Sequence, residues 1–119
     1  MNTEQQIEQR VINIITSPST KARAKKEGRY TTCIFVEGKK ELRVSSFYID
    51  EKMIRVEVYR RHLLGLFKTE IEAIWISSEP VRAKCKFLTH EKEEEEKNKR
   101  AEHKEKKRRA ILAFLNTKP

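Results

Sequence analysis

The first seventeen residues carry the apolar spacing of an amphipathic helix. Four branched apolar residues recur at i, i+4, i+7 and i+8 and therefore share one face: Ile7, Val11, Ile14 and Ile15. Thr3 followed by Gln6 matches a capping box, and Pro18 ends the periodic stretch. The pattern predicts a helix over residues 1–17 whose apolar face packs on the protein's own sheet or, as the alternative, on a second copy or another partner.

From Tyr30 onward the apolar period changes to two, which is the period of half-buried strands. Segments of strand character are separated by short turns, and they cover 30–37, 42–49, 53–61, 71–77 and 81–88. Residues 71–77 are apolar at nearly every position, which predicts a central strand covered on both faces. The pattern of residues 63–67 is compatible with either a short strand or a bend at Gly65. Connections this short predict an antiparallel meander of five or six strands over residues 30–88.

The segment between the first helix and the sheet is basic and has no large apolar side chain. Residues 18–29 carry five Lys or Arg against Glu27 alone. We interpret this segment as a basic linker. It is either a solvated connector or a flexible arm that becomes ordered when it contacts phosphates.

The last third of the chain predicts one long charged helix over residues 89–116. Residues 91–109 contain no large apolar side chain, and acids precede bases at i, i+4, as in Glu93 with Lys97. Each such pair stabilises a helix by about 0.2–0.5 kcal/mol. The helix ends in a cluster of apolar side chains, the tip, which comprises Ile111, Leu112, Phe114 and Leu115. We expect the tip to insert against the N-terminal helix, a second copy or another protein, and residues 91–109 to be either free or packed.

These elements together predict a single α+β domain over residues 1–119. It consists of an antiparallel meander sheet, an N-terminal amphipathic helix and a long charged C-terminal helix. A chain of 119 residues has room for one modest core. Its composition, 37% apolar and 38% charged, leaves part of the chain solvated.

The charge balance indicates the kind of partner. A net charge of +9, from 27 Lys and Arg against 18 Asp and Glu, favours nucleic acid, an anionic membrane surface or an acidic protein patch. No apolar run approaches the roughly 20 residues that span a bilayer, and the N-terminus lacks the apolar core of a secretion signal. Cys33 and Cys85 have no metal-ligand spacing and are interpreted as reduced core thiols. We therefore expect a cytoplasmic protein, or a nuclear one in a eukaryote.

The sequence favours binding over catalysis. Asp50 is the only aspartate, so there is no D-x-D metal pair, and the three glycines form no phosphate-binding loop. The three histidines are scattered and are not paired with cysteines. We expect a non-enzymatic protein without a metal or cofactor.

Residues 34–41, IFVEGKKE, resemble the opening of a Toprim nuclease or topoisomerase domain, in which an apolar strand delivers a metal-linked glutamate before a Gly and a Lys. The resemblance would make Glu37 that acid. The Toprim family continues with a helix and then a D-x-D strand, whereas residues 41–50 have strand character and contain only Asp50. We therefore interpret residues 34–41 as part of a hairpin with its turn at Gly38.

Three basic segments supply the candidate nucleic-acid-binding residues: the linker, the outer side of the strand over 81–88, and the basic end of the last helix. They comprise Lys21, Arg23, Lys25, Lys26, Arg82, Lys84, Lys86, Lys104, Lys106, Lys107, Arg108 and Arg109. Arg43 and Arg55 would extend the strand patch, and Tyr48 or Tyr59 would supply a stacking surface. We expect an accessory or regulatory factor that binds DNA or RNA without sequence preference, by phosphate neutralisation and counterion release.

The main alternative is a protein–protein inhibitor or adaptor, of the kind that phages and plasmids encode. It would dock its C-terminal helix on a larger target through Ile111, Leu112, Phe114 and Leu115. A homodimer through either helix is a further alternative. A peripheral membrane module, with the basic end of the last helix on anionic lipid, is the least favoured.

Overall fold

The computed structural model describes residues 2–117 and shows one sheet with a helix at each end of the chain. The elements in chain order are α1 (Thr3–Thr16), β1 (Lys21–Glu27), β2 (Tyr30–Glu37), β3 (Lys40–Ser45), β4 (Ile54–His62), β5 (Phe67–Ile76) and α2 (Glu79–Leu115). The strands form a five-stranded antiparallel meander in the order β1-β2-β3-β4-β5. The predicted α+β class is confirmed. Met1, Lys118 and Pro119, which the predicted domain includes, lie outside the described residues.

The N-cap of helix α1 is Asn2, one residue before the predicted N-cap Thr3. The Asn2 Oδ1 atom accepts a hydrogen bond from the backbone N–H of Gln5 at 2.8 Å, and the Asn2 N–H donates to Gln5 Oε1 at 3.1 Å. Thr3 is therefore the first helical residue and Gln6 is not the capping partner. The sequence allowed both positions, because Asn is as good an N-cap as Thr.

The predicted linker over residues 18–29 is wrong for most of its length, because Lys21–Glu27 forms the edge strand β1. Every residue of β1 is paired with β2, and Ala22 and Ala24 lie opposite Phe35 and Cys33. The two alanines face the helices, and the alternate basic residues face the other side of the sheet. Small apolar residues gave too weak an alternation to predict a strand, although lysines are common on edge strands.

Two glycines fix the first two hairpins. Gly28–Arg29 connects β1 to β2 and Gly38–Lys39 connects β2 to β3, each as a two-residue loop. The φ angles of Gly28 and Gly38 are +62° and +60°, in the region that favours glycine. The hairpin interpretation of residues 34–41 is therefore confirmed.

Residues 81–88, predicted as a strand, form the first turns of α2. Ser78 is the N-cap, its Oγ atom accepts a hydrogen bond from the Val81 N–H at 3.4 Å, and Pro80 occupies the first turn. Val81 and Cys85 are buried and Phe87 is 61% exposed, which follows the helical period and not the strand period. The alternation was compatible with both periods because the apolar residues also recur at i, i+4 and i+7.

Strand β5 is an edge strand, so the prediction of a central strand over 71–77 is wrong. It pairs with β4 alone, with an irregular register between Val58 and Tyr59. The preceding segment is resolved as a single 3₁₀ turn, Leu63–Gly65, followed by the start of β5 at Phe67. Trp75 and Ile71 are consequently more than half exposed.

Both helices pack on the same face of the sheet and enclose one core. Helix α1 contacts β2 and β5, α2 contacts β1 and β2, and the helices contact each other. The buried members of the core are Val11, Ile14, Ile15, Cys33, Phe35, Leu42, Val44, Ile49, Ile54, Val56, Ile76, Val81 and Cys85. Cys33 and Cys85 are free thiols, and the hydrogen bond with Cys33, together with burial, raises the pKa of the Cys85 thiol. Cys85 therefore packs as a small neutral side chain.

Replacement of Gly28 tests the edge strand directly. A Cβ at Gly28 meets no atom within 4 Å, so the cost of Gly28→Ala is conformational. We expect the free energy of unfolding to fall by about 1–2 kcal/mol, measured by urea denaturation. In a flexible linker the same change would be neutral or stabilising. Arg29→Ala, in the same turn at negative φ, is the control, and an unchanged midpoint for Gly28→Ala would argue against the hairpin.

Candidate nucleic-acid interface

The face of the sheet that points away from the helices has no element packed on it within residues 2–117; we call it the open face. Side chains alternate between the two faces along each strand, so the residues next to the core residues in sequence belong to the open face. Its basic members are Lys21, Arg23, Lys25, Arg43, Arg55, Arg61 and Lys68. Its acidic members are Glu27, Glu41, Glu57 and Glu70. The open face therefore carries a net positive charge.

Ile34 is fully buried although it lies on the open face. Its neighbours across the strands are Arg23 on β1 and Arg43 on β3. Both side chains have long aliphatic parts beside Ile34; the Arg23 side chain is exposed, and the Arg43 guanidinium is held by Glu41 and lies over the Tyr59 ring. At the middle of the open face, a buried apolar side chain therefore lies between two positively charged ones.

Glu41 anchors the basic side chains at one end of the open face. Its side chain is 1% exposed, and its carboxylate lies 2.8 Å from Arg43 Nε, 3.1 Å from Lys68 Nζ and 3.8 Å from Arg61 Nε. Burial alone would raise the pKa of Glu41, but the hydrogen bonds and charges of Arg43 and Lys68 outweigh it and lower the pKa. Glu41 is therefore an ionised buried carboxylate held among three cations.

Tyr59 is held in place by contacts with its neighbours. Its hydroxyl donates a hydrogen bond to Glu57 Oε2 at 2.6 Å, and the Arg43 guanidinium lies 5.3 Å from the ring centroid. The hydrogen bond to Glu57, with a smaller contribution from burial, raises the pKa of Tyr59 to about 12. Because Arg43 occupies one face of the ring, only the other face of Tyr59 is left for the stacking predicted from the sequence.

A row of four aromatic side chains crosses one end of the sheet; we call it the aromatic row. Tyr30 and Phe47 have ring centroids 5.3 Å apart, Phe47 and Tyr48 4.9 Å, and Tyr48 and Trp75 5.5 Å, all edge-to-face. Tyr30, Phe47 and Trp75 are 44%, 47% and 53% exposed. Of these four residues, only Tyr48 was expected from the sequence to take part in stacking. Trp75 was not, because residues 71–77 have the pattern of a buried strand. The exposed rings offer flat apolar surface to a ligand.

The basic residues of the predicted linker lie along the edge of the open face. Lys21, Arg23 and Lys25 alternate on β1, at steps of roughly 7 Å, and all are exposed or half-buried. None of the three forms an ion pair with another residue in the range 2–117. Lys26, also exposed, points to the opposite side. Three predicted residues thus line one edge of the face.

The predicted basic strand patch at 82–86 does not exist as a surface, because these residues belong to α2. Lys84 Nζ donates to the Ile15 carbonyl at 2.6 Å, and Arg82 donates to the carbonyl of Ile49. Lys86 Nζ lies 3.5 Å from an Asp50 carboxylate oxygen. Arg82 and Lys84 therefore attach α2 to the rest of the fold, and none of the three lies on the open face.

The basic end of α2 is remote from the sheet. Glu96 is the last residue of α2 that is partly covered, and Arg109 lies roughly 20 Å further along the helix axis. The predicted residues there, all exposed, are Lys104, Lys106, Lys107, Arg108 and Arg109. They form a second cationic surface, and the fold does not bring them together with β1.

The tip is exposed at the far end of α2. Ile111 and Leu112 are each 59% exposed, Leu115 70% and Phe114 78%. The alternative in which the tip folds back on the N-terminal helix is therefore wrong for this structure. The helix is continuous from Glu79 to Leu115 and ends away from α1.

A cleft of about 1300 Å³ lies between α1 and the β4–β5 hairpin. Leu42 and Val58, which line it, point to the helix side of the sheet, so the cleft is not part of the open face. Ile7 and Leu63 contribute apolar surface, and Arg10 contributes to a basic rim. The cleft accounts for the incomplete burial of Ile7 in the α1 face.

Residues 2–117 contain no cluster of three or more His, Cys, Asp or Glu placed to hold a metal ion. Neither helix in this range has a stretch long and apolar enough to cross a membrane. No protein-family model, curated protein sequence or solved structure matches the chain. Its function must therefore be inferred from its own surface.

Glu41→Gln tests the cluster that organises the open face. We expect the change to lower the free energy of unfolding by about 2 kcal/mol at neutral pH, because charge-assisted hydrogen bonds to Arg43 and Lys68 are weakened. Glu70→Gln, an exposed acid on the same face, is the control and should have little effect. Urea denaturation of the three proteins measures the difference.

The effect of Glu41→Gln should depend on pH. Because the pKa of Glu41 is lower in the folded state than in the unfolded state, its contribution is fully present above about pH 4.3, the ordinary glutamate value. The contribution is lost as the pH falls through the lowered folded value. Wild type and Glu41→Gln should therefore differ at neutral pH and converge in strong acid, and a difference that is independent of pH would contradict the cluster.

Proposed function

We propose that the protein binds single-stranded nucleic acid on the open face of its sheet. The observation that carries the proposal is that the aromatic row crosses one end of the same sheet face whose β1 edge carries Lys21, Arg23 and Lys25, and that no other element within residues 2–117 packs on this face. Sheets of this type bind unpaired bases by stacking them on exposed rings while cations contact the phosphates. Both parts are present within one surface.

The mechanism combines two contributions of different specificity. Lys21, Arg23 and Lys25 neutralise phosphates and release counterions, which gives affinity that is independent of sequence. Trp75 and Phe47 stack on bases, and every base has a flat face to offer. A duplex hides its bases, so this arrangement favours single strands. The protein is accordingly proposed to be a sequence-tolerant, non-enzymatic accessory or regulatory factor in the cytoplasm, or in the nucleus of a eukaryote.

The cations of α2 are proposed as an auxiliary contact. Residues 104–109 carry five bases against Glu105 and are fully solvated. They would hold the backbone of the same strand at a distance from the open face, and so add to the salt dependence without contacting bases.

Removal of the β1 cations should weaken binding and flatten its salt dependence. For Lys21→Ala, Arg23→Ala and Lys25→Ala combined, we expect the slope of log affinity against log salt to fall by about 2 units. The measurement is fluorescence anisotropy of a labelled single-stranded oligonucleotide titrated at several salt concentrations.

The matched control removes the same three charges elsewhere, with Arg10→Ala, Lys52→Ala and Arg100→Ala combined. It should reduce the slope much less, because these exposed residues lie off the open face. Equal effects of the two triple variants would mean that net charge alone drives association. Absence of binding by the wild type at low salt would refute the proposal.

Trp75→Ala tests the stacking contribution. We expect an affinity for single strands about tenfold lower at unchanged salt slope, because base stacking on an aromatic ring contributes about 1–3 kcal/mol per base. Phe67→Ala is the control, since Phe67 is 62% exposed on the same strand but lies at its other end. If duplex is bound as tightly as single strand and Trp75→Ala has no effect, stacking on the open face is wrong.

One observation favours a second candidate function, which is docking on a protein through the distal part of α2. The four apolar side chains of the tip are 59–78% exposed at the end of a helix that otherwise carries charges. Large apolar side chains grouped in this way are typical of interaction surfaces. This candidate uses the tip, whereas nucleic-acid binding uses the open face together with residues 104–109 as an auxiliary contact.

A further inference from the structure

Five exposed residues of α2 lie seven positions apart and therefore share one side of the helix; we call this line of positions the repeat. Val81 and Cys85 turn the opposite face toward the sheet. The exposed residues at seven-residue intervals are Phe87, Glu94, Ala101, Arg108 and Leu115. Residues at this spacing lie along one stripe of the helix, and here only the two ends of the stripe are apolar, unlike the continuous apolar seam of a coiled coil. The repeat is apolar at both ends, charged between them and small at its centre.

Charge is segregated along the same helix. Residues 91–96 contain five glutamates and one lysine, a net charge of −4. Residues 104–109 contain five bases and one glutamate, a net charge of +4. The two segments are of equal length and lie at equal distances from Arg100. A helix with this pattern is complementary to a copy of itself that runs in the opposite direction.

We infer that two copies of the chain associate through α2 as an antiparallel, two-fold symmetric pair centred near Ala101. This inference rests on the second candidate function, protein contact through distal α2, and names a second copy as the partner. In this arrangement Glu94 of each copy faces Lys104 and Arg108 of the other. The tip of each copy reaches Phe87 of the other, so that Leu112 and Leu115, which lie on the same side of α2 as Phe87, cover it.

The contacts within each chain leave the required charges available. Within residues 2–117, Glu94, Lys104 and Arg108 form no ion pair, whereas Glu95 is bridged by Lys92 and Lys99. The Phe87 side chain is 61% exposed on the side of α2 that faces away from the core. The small side chain of Ala101 lets two helices approach closely where they cross. In a two-fold symmetric contact every ion pair occurs twice. Each weak surface ion pair therefore contributes twice to the affinity.

A parallel pair is disfavoured by the same charges. It would place the acidic segment 91–96 beside its own copy and the basic segment 104–109 beside its own copy. Like charges would then face each other along most of the contact. The orientation of the pair is therefore decided by the charge pattern, and the apolar ends supply most of the affinity.

Sedimentation velocity over a range of protein concentrations, without nucleic acid, tests the inference. We expect a concentration-dependent monomer–dimer equilibrium, with the dimer dissociation constant raised about tenfold by Glu94→Lys. Glu102→Lys, which makes the same charge change off the repeat, should have little effect. In a parallel dimer Glu94→Lys would instead strengthen association, so the sign of the change separates the two orientations.

Charge exchange provides the rescue. The combined variant Glu94→Lys, Lys104→Glu and Arg108→Glu reverses both sides of the contact and should restore dimerisation, while Leu112→Asp with Leu115→Asp should abolish it. A wild-type chain that stays monomeric at every concentration would overturn the inference. Anisotropy with labelled single strands keeps the outcomes distinct when two variants are compared. Trp75→Ala should lose affinity for single strands and still dimerise, whereas Leu112→Asp with Leu115→Asp should lose the dimer and still bind single strands through the open face.

Discussion

Two helices can cover only one side of a five-stranded sheet, and the rest of this structure follows from that constraint. Five strands at about 4.8 Å spacing make a sheet some 24 Å wide, which two helices of about 10 Å diameter cover once. Helix α1 and the first turns of α2 lie side by side on that face and enclose the only core that residues 2–117 contain. The second face must be compatible with water by means of its own side chains.

The open face meets this requirement with long cationic side chains. Arg23 and Arg43 flank the buried Ile34 across the strands, and Glu41 is neutralised by three bases, so that the face is hydrated without being polar throughout. Only the end that carries the aromatic row has rings that remain uncovered. The long cationic side chains that keep this face in contact with water are also the side chains that attract a polyanion. The proposed function depends on this second property.

The sequence predicted those elements whose pattern was unambiguous. The apolar runs of β2 and β4 and the spacing in α1 indicated their elements because each pattern fits only one period. The strand β1 was missed because Ala22 and Ala24 are too small to give a clear alternation. The start of α2 was misassigned because its apolar residues satisfy both periods, although Ser78 and Pro80 formed a helix start signal.

The sequence predicted the type of site, a basic sheet face, but not which residues form it. Basic residues on a sheet face were expected, and the cations of β1 do lie on one, but Arg82 and Lys84 proved to be attachments between elements. Trp75 could not be assigned to a surface from sequence, since its neighbours on both sides are apolar. Whether such a strand lies at the centre or the edge of a sheet depends on its partners along the chain, which local periodicity does not reveal.

Trp75 has one more consequence, which concerns how the protein can be observed. It is the only tryptophan in the chain and is half exposed on the open face. The tryptophan fluorescence of the protein therefore reports on that face alone and is not averaged over several indoles. Its emission maximum and its accessibility to a soluble quencher describe the local environment of the aromatic row in the unlabelled protein, so the native chain contains its own optical probe of the open face.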